Sequence, residues 1–110
     1  MADIAKLEAL LAKGPDNALL RYSLGNEYLK DGQLELAIQH LAAATRLEPS
    51  FSAAWKLQGR ALQACGRHSE AIPILEQGIA IAKAKGDIQA AKEMGVFLKR
   101  ALKALEDPTL

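Results

Sequence analysis

An internal repeat of 34 residues constrains the fold of this chain more than any other feature of the sequence. Comparing the sequence with itself at that offset aligns small and helix-breaking residues in pairs and aliphatic residues in triplets. The pairs are Pro15 with Pro49, Gly25 with Gly59, Gly32 with Gly66 and Ala37 with Ala71, and the triplets are Ile4, Ile38 and Ile72 and Leu7, Leu41 and Leu75. A fixed period of this length is typical of stacked units, none of which can bury its apolar face alone.

The composition indicates that each unit is built from helices. Ala, Leu, Lys, Glu and Arg make up 61 of the 110 residues, which is the excess of helix formers expected of a helical chain. Only ten residues are β-branched, and strands favour such residues. We therefore predict an all-α chain, an α-solenoid of antiparallel helix pairs with about six helices.

Glycine, proline and helix-capping residues divide the chain into these six helices. The expected N-caps are Asp3, Asp16 or Asn17, Ser50, Ser69 and Asp87, and the expected ends lie at Gly14, Gly32, Pro49, Gly66 and Gly86. Gly14 is expected to take the left-handed conformation. Residues 1–110 form one predicted domain, with an N-terminal half-repeat at 3–14, repeats at 17–49 and 50–85, a capping helix at 87–106 and a frayed tail at 107–110.

The repeated residues resemble the pattern of the tetratricopeptide repeat (TPR) family. The residues that carry this resemblance are Leu24, Gly25, Tyr28, Gly32, Ala37, Leu41, Ala44 and Pro49 in the first repeat and Trp55, Gly59, Gly66, Ala71 and Leu75 in the second. Together they span about residues 18–83. The resemblance implies a right-handed solenoid in which the first helix of each pair lines a concave groove that binds a peptide or a partner helix.

The small residues within the predicted helices imply close packing between them. Gly25 and Gly59 each cost about 1 kcal/mol relative to Ala in a helix, so we expect a facing helix to approach there, with Ala37 and Ala71 as its small residues. Trp55 is expected to fill the space between one pair and the next. The second repeat departs from the first at Gln58, which replaces Leu24, and at Gly78, which replaces Ala44 and is expected to loosen the fifth helix.

By the same resemblance, the groove is lined by residues that lie about 100° around the helix axis from the predicted core residues. They are Leu19, Tyr22, Asn26, Leu29 and Lys30 on the second helix, Ala53, Lys56, Arg60, Gln63 and Ala64 on the fourth, and Ala90, Met94 and Phe97 on the sixth. Each set advances in steps of three or four residues and so shares one helix face. This lining has apolar and aromatic side chains, a basic strip and no acid. It predicts a protein or peptide partner that is acidic and has apolar anchors.

Charge and hydropathy exclude several other partners. The net charge of +1 gives no reason to expect nucleic acid or an anionic membrane as the main partner. No apolar run approaches the roughly 20 residues that cross a bilayer, and Asp3, Lys6 and Glu8 make the N-terminal segment unlike a signal peptide. The single Cys65 cannot pair within the chain, which favours a reducing, cytoplasmic location.

The sequence contains no recognisable catalytic or cofactor-binding set. His40 and His68 have no Ser, Cys or carboxylate at a spacing that defines one. Cys65 and His68 have C-x-x-H spacing, but a metal site needs about four ligands. We therefore predict a non-catalytic interaction module without cofactor or metal. Two alternatives stay open, which are self-association through the groove or the sixth helix and a metal or redox role of Cys65 and His68.

Overall fold

The computed structural model describes residues 3–106, and this part of the chain forms six α-helices and no strand. The helices are α1 (Ile4–Lys13), α2 (Ala18–Lys30), α3 (Leu34–Leu47), α4 (Ser52–Ala64), α5 (His68–Lys85) and α6 (Ile88–Glu106). The predicted all-α class and helical solenoid are confirmed. The frayed tail predicted for residues 107–110 lies outside the described residues.

Three helices begin at side-chain caps that the sequence predicts. The carboxylate of Asp3 accepts the backbone N–H of Ala5 at 2.9 Å, and the side chain of Asn17 accepts that of Leu20 at 2.8 Å. Asp87 accepts the N–H of Ala90 at 3.2 Å, at the start of α6. Each contact satisfies one of the backbone donors that a helix leaves free in its first turn.

The two predicted serine caps are wrong. Helix α4 begins after Phe51, whose side chain makes no capping hydrogen bond, because Phe51 N–H turns back to the carbonyl of Glu48 and moves the start of the helix beyond Ser50. Helix α5 begins at His68, so Ser69 lies inside the helix. Only Arg67 lies between the turn at Gly66 and the first residue of α5, so the helix has already begun before Ser69.

Left-handed glycines end α2, α4 and α5, and Gly14 is not one of them. Gly32, Gly66 and Gly86 each have φ of 78°, a conformation that glycine adopts without steric cost. Gly14 is extended, with φ of −117° and ψ of −179°. The chain leaves α1 in an extended segment through Pro15, which restricts the residue before it to such conformations.

The core follows the helix pairs from one end of the stack to the other. Leu24, Leu41, Leu75 and Met94 are fully buried, and each comes from a different helix. Trp55 is buried, and its indole N–H donates to the carbonyl of Pro49 at 2.8 Å. A continuous apolar core therefore joins the repeats.

The atoms closest to Gly25 and Gly59 within the helices belong to leucine side chains and not to the backbone beside small residues. A Cβ on Gly25 would lie 2.5 Å from Leu41 Cγ, and one on Gly59 would collide with Leu75, so the expected counterparts Ala37 and Ala71 are not the nearest groups. Helix α5 is continuous through Gly78. A Cβ there would lie 2.6 Å from Met94 Sδ and 2.8 Å from Trp55 Cβ, so Gly78 admits tight packing instead of loosening the helix.

Candidate interaction surface

The helices form two layers, and the stack curves towards one of them. Helices α2 and α4 have Cα atoms within 8 Å of each other, as do α4 and α6. Among the described residues, no such approach occurs between α1 and α3 or between α3 and α5. The layer of α2, α4 and α6 is therefore the more compact, inner layer, and its exposed side is the inside of the curve.

Three glycines set the register of the inner layer. Gly25 in α2, Gly59 in α4 and Gly95 in α6 each follow a buried side chain, that of Leu24, Gln58 or Met94. The first two glycines are 34 residues apart and the last two are 36 apart. Helix α5 is four residues longer than α3, while the connection after it is two residues shorter. Equivalent positions on α6 are therefore shifted by two residues from the 34-residue period.

The exposed side of the inner layer is called the inner wall below. It comprises the solvent-accessible residues at equivalent places relative to the three glycines. They are Leu19, Tyr22, Asn26, Leu29 and Lys30 on α2, Ala53, Lys56, Arg60, Gln63 and Ala64 on α4, and Gln89, Lys92, Val96, Lys99 and Arg100 on α6.

The α2 part of the inner wall is mainly apolar. Leu19 is 66% exposed, and Asn26 and Leu29 are half-buried. The Tyr22 ring packs on Phe51 with the ring centroids 4.8 Å apart, which ties α2 to the start of α4. Lys30 is exposed and lies 3.4 Å from the carboxylate of Glu27. All five residues predicted for this helix are thus accessible.

Contacts between α4 and α6 fix the middle of the inner wall. The ammonium of Lys56 lies 3.1 Å from the Glu93 carboxylate, so an acid is present at this surface, contrary to the sequence prediction. The Gln63 side-chain amide donates to the backbone carbonyl of Phe97 at 3.1 Å. Arg60 is exposed and lies between Lys56 and Gln63 along α4.

Two of the three surface residues predicted for α6 are buried in the structure. Met94 is fully buried and Ala90 is 5% exposed, so both belong to the core and neither can contact a partner directly. Phe97 is half-buried and meets α4 through its carbonyl. The exposed α6 residues of the inner wall were not predicted from the sequence, and they are Gln89, Lys92, Val96, Lys99 and Arg100. The signal that could have found them is Met94-Gly95, a third copy of the buried residue and glycine seen at Leu24-Gly25.

The inner wall carries an excess of unpaired positive charge at its α4 and α6 side. Within residues 3–106, no carboxylate lies within 4.0 Å of the cationic groups of Arg60, Lys92, Lys99 or Arg100. All four side chains are exposed. The surface therefore runs from an apolar side on α2 to a basic side on α4 and α6.

The residues of the metal or redox alternative lie at the end of α4 and the start of α5. Cys65 is half-buried and its thiol donates to Glu35 at 3.3 Å. This hydrogen bond and burial raise the pKa of the Cys65 thiol, which lowers the fraction of reactive thiolate. His68 is the first residue of α5. No group of three or more potential metal ligands occurs in the described part of the chain.

None of the helices described in residues 3–106 is long and apolar enough to span a membrane.

Comparison with known proteins identifies the family to which these paired helices belong. A model of the tetratricopeptide repeat matches residues 22–88, which include both complete helix pairs apart from the first turn of α2. The chain belongs to the TPR family. TPR domains generally act as protein–protein interaction modules and are generally not catalytic.

Individual proteins resemble the chain over most of its length. A TPR repeat-containing protein of Pseudomonas aeruginosa is 50% identical over 97 residues, which cover 88% of this chain and 92% of that protein. A protein of Bordetella parapertussis solved in solution is 43% identical, with a TM-score of 0.79 over 94% of this chain and 90% of that one. The crystal structure of a TPR domain protein from Salinibacter ruber shares the fold at 22% identity, with a TM-score of 0.71 over 77% and 96% of the two chains.

Proposed function

We propose that this TPR domain is a non-catalytic module that binds an acidic peptide or helix of a partner protein on its inner wall. The observation that carries the proposal is a group of four exposed cations that have no carboxylate within 4.0 Å in residues 3–106, namely Arg60, Lys92, Lys99 and Arg100. Charged groups arranged on two neighbouring helices attract a complementary ligand and orient it. Such a ligand supplies the carboxylates that these side chains lack.

The apolar side of the inner wall supports a ligand with apolar anchors as well as acids. Leu19, Tyr22 and Leu29 lie on α2, where no unpaired cation competes for the same space. Apolar contact supplies most of the affinity of peptide recognition and charge selects the ligand. The bound segment is therefore expected to place its anchors against α2 and its carboxylates against α4 and α6.

Existing contacts hold the inner wall in place before any ligand binds. The Tyr22–Phe51 ring contact joins α2 to α4, and the Lys56–Glu93 ion pair joins α4 to α6. A preformed surface avoids the entropic cost of ordering side chains on binding. This supports docking on an existing surface without a large rearrangement of the helices.

The proposal includes a cytoplasmic location. Cys65 is the only cysteine of the chain, so its thiol forms no disulfide bond within the chain. Free thiols persist in reducing compartments. Fractionation of cells that express the tagged chain measures the location, and recovery outside the cytoplasmic fraction would contradict it.

The charge of Arg60 provides the test of ligand binding. A fluorescently labelled peptide that combines Leu and Phe anchors with several Glu residues is titrated with the protein, and its anisotropy is followed. Arg60→Glu is expected to weaken binding by about tenfold to a hundredfold, since one charge-assisted contact is worth about 1.5–3 kcal/mol. Arg60 makes no ion pair within residues 3–106, so the helical content is expected to stay unchanged.

Arg46→Glu is the matched control, because Arg46 is an exposed cation on α3, in the outer layer. This variant has the same change in net charge and is expected to bind the peptide as the parent does. Equal weakening by both variants would show a non-specific charge effect and contradict the proposal. Unchanged binding by Arg60→Glu would contradict it as well.

A further inference from the structure

A leucine side chain covers the glycine of α2 and that of α4, but no side chain covers the equivalent glycine of α6 in the described structure. Leu41 packs over Gly25, and Leu75 packs over Gly59. At Gly95, the equivalent position of α6, a Cβ would meet no atom within 4 Å other than its own helical backbone. The second helix of the third pair, which would supply a leucine there, is not among the described elements of residues 3–106.

Apolar residues extend on both sides of this open position. Ile88, Gly95 and Leu102 follow each other at seven-residue intervals and so lie along one side of α6. Ile88 is 54% exposed and Leu102 is 44% exposed. A depression between α5 and α6 opens on this side, and its lining residues are Ile79, Lys83, Ile88, Ala91, Lys92 and Gly95. This side, which faces away from α4, is called the outer edge of α6.

Positive charge borders the outer edge. Lys83 of α5 and Lys92 of α6 line the depression itself, and Lys99 follows Lys92 two turns later along α6. All three are exposed, and none has a carboxylate within 4.0 Å in the described part of the chain. An apolar stripe with basic flanks is complementary to a helix that has an apolar stripe with acidic flanks.

We propose that the outer edge of α6 binds an amphipathic helix of a partner protein, which completes the third helix pair. The incoming helix places an aliphatic side chain over Gly95, as Leu41 and Leu75 do over their glycines, and places carboxylates beside Lys83 and Lys92. This surface is separate from the inner wall, and the two share Lys92 and Lys99 at their common border. The proposal does not depend on ligand binding by the inner wall.

The charge of α1 argues against a second copy of this chain as the occupant. Helix α1 matches α3 and α5 through Ile4 and Leu7, so it is the segment that a second copy would offer. Its exposed side includes Lys6 and Lys13. These ammonium groups would approach the lysines of the outer edge, and like charges brought together across an interface are unfavourable.

Two synthetic peptides test the proposal. Both are capped 18-residue helices with a central Leu in an apolar stripe, and the stripe is flanked by Glu in the first peptide and by Lys in the second. The Glu peptide is expected to bind and to shift the Gly95 amide signal in an NMR titration, whereas the Lys peptide is expected to bind at least tenfold more weakly. Equal affinity of the two peptides, or no binding of the Glu peptide, would overturn the proposal.

Substitutions locate the binding site of the Glu peptide. Gly95→Leu fills the open position with a side chain of the protein itself. A Cβ at this position meets no neighbouring atom within 4 Å, and Leu favours helix more than Gly does, so the fold is expected to persist. This variant and Lys83→Glu are each expected to weaken binding at least tenfold. Arg60→Glu, on the inner wall, is expected to leave the shift of the Gly95 amide signal by this peptide unchanged. Loss of affinity only in Arg60→Glu would place the peptide on the inner wall and overturn the proposal.

Light scattering after size-exclusion chromatography tests the competing occupant. The parent chain is expected to elute as a monomer, and so is Gly95→Leu. A dimer or larger species that Gly95→Leu dissociates would show that a second copy covers the outer edge, which would overturn the assignment of an acidic partner helix.

Discussion

Leu41 packs directly over Gly25, with its Cγ atom 2.5 Å from the point that a Cβ on Gly25 would occupy. Leu75 stands in the same relationship to Gly59. The two contacts hold the helices of each pair close together and explain why glycine occurs in the middle of two helices despite its helical cost. Gly95 has the same place in α6 without such a contact.

Substitution of these glycines by alanine is predicted to have opposite effects at Gly25 and at Gly95. Gly25→Ala gains helix propensity but forces Leu41 aside, and overpacking of this kind costs about 1–3 kcal/mol. Gly95→Ala meets no atom and is expected to gain up to about 1 kcal/mol. Urea unfolding followed by circular dichroism measures both. A parent-like stability of Gly25→Ala would contradict the packing described at that position.

A buried hydrogen bond compensates for the glutamine that stands at an apolar position of α4. Thr45 Oγ1 donates to Gln58 Oε1 at 2.9 Å, and both residues are buried. Thr45→Val is predicted to cost about 1–3 kcal/mol, because it leaves the Gln58 amide without this partner. Adding Gln58→Leu removes the unsatisfied group and is predicted to restore most of the loss.

A double-mutant cycle with the same urea unfolding measurement checks this coupling. The single variants, the double variant and the parent are compared under one set of conditions. Coupled groups give a double variant that is more stable than the sum of the single effects. Additive losses would mean that the Thr45–Gln58 contact contributes nothing of its own to the free energy of unfolding.

The free energy of unfolding is predicted to decrease as the pH falls through the ordinary pKa of histidine. The His40 ring is buried, stacks on Tyr28 with the centroids 5.4 Å apart and lies 3.1 Å from Arg21 through Nδ1. Burial lowers the pKa of His40 below its usual 6.5, and the Arg21 guanidinium adds to this effect against the opposing Glu8 carboxylate. As pH falls through 6.5, the unfolded chain therefore binds a proton before the folded chain does, and folding loses free energy.

Urea midpoints measured between about pH 7.5 and pH 5 test the effect of His40, since this window contains the ordinary histidine pKa. The parent is expected to lose stability across the window, and His40→Gln is expected to show a smaller pH dependence. An equal dependence in the two proteins would show that another group is responsible, and stability that rises towards pH 5 would contradict the sign.

The sequence predicts the pairing of helices well because its period is a direct record of repeated packing. The residues that repeat, such as Leu41 and Leu75, are those that meet the helical glycines, so a self-comparison finds them without a structure. Helix termini are harder to predict. Ser50 and Ser69 have the right side chains for capping, but turns at Glu48–Phe51 and Gly66 determine where α4 and α5 begin.

The α6 part of the inner wall could not be predicted from the period, because the period changes there. The step from Gly59 to Gly95 is 36 residues instead of 34, and an error of two residues rotates a helix face by about 200° at about 100° per residue. The 34-residue period therefore points to Met94, which is buried, while the exposed residues on that side of α6 are Lys92 and Val96. The two extra residues arise because α5 is four residues longer than α3 while the connection after it is two residues shorter, which local sequence patterns do not reveal.

The central claim, that α2, α4 and α6 present one shared binding surface, is tested most directly by an NMR titration with the acidic peptide that carries Leu and Phe anchors. The account predicts that the amide signals of Asn26, Arg60 and Val96 shift together, one from each inner helix, and saturate at the same peptide concentration. The exposed Gln39 and Gln77, on α3 and α5, are expected to stay unchanged. Shifts confined to α3 and α5, or no shift on any inner helix, would contradict it.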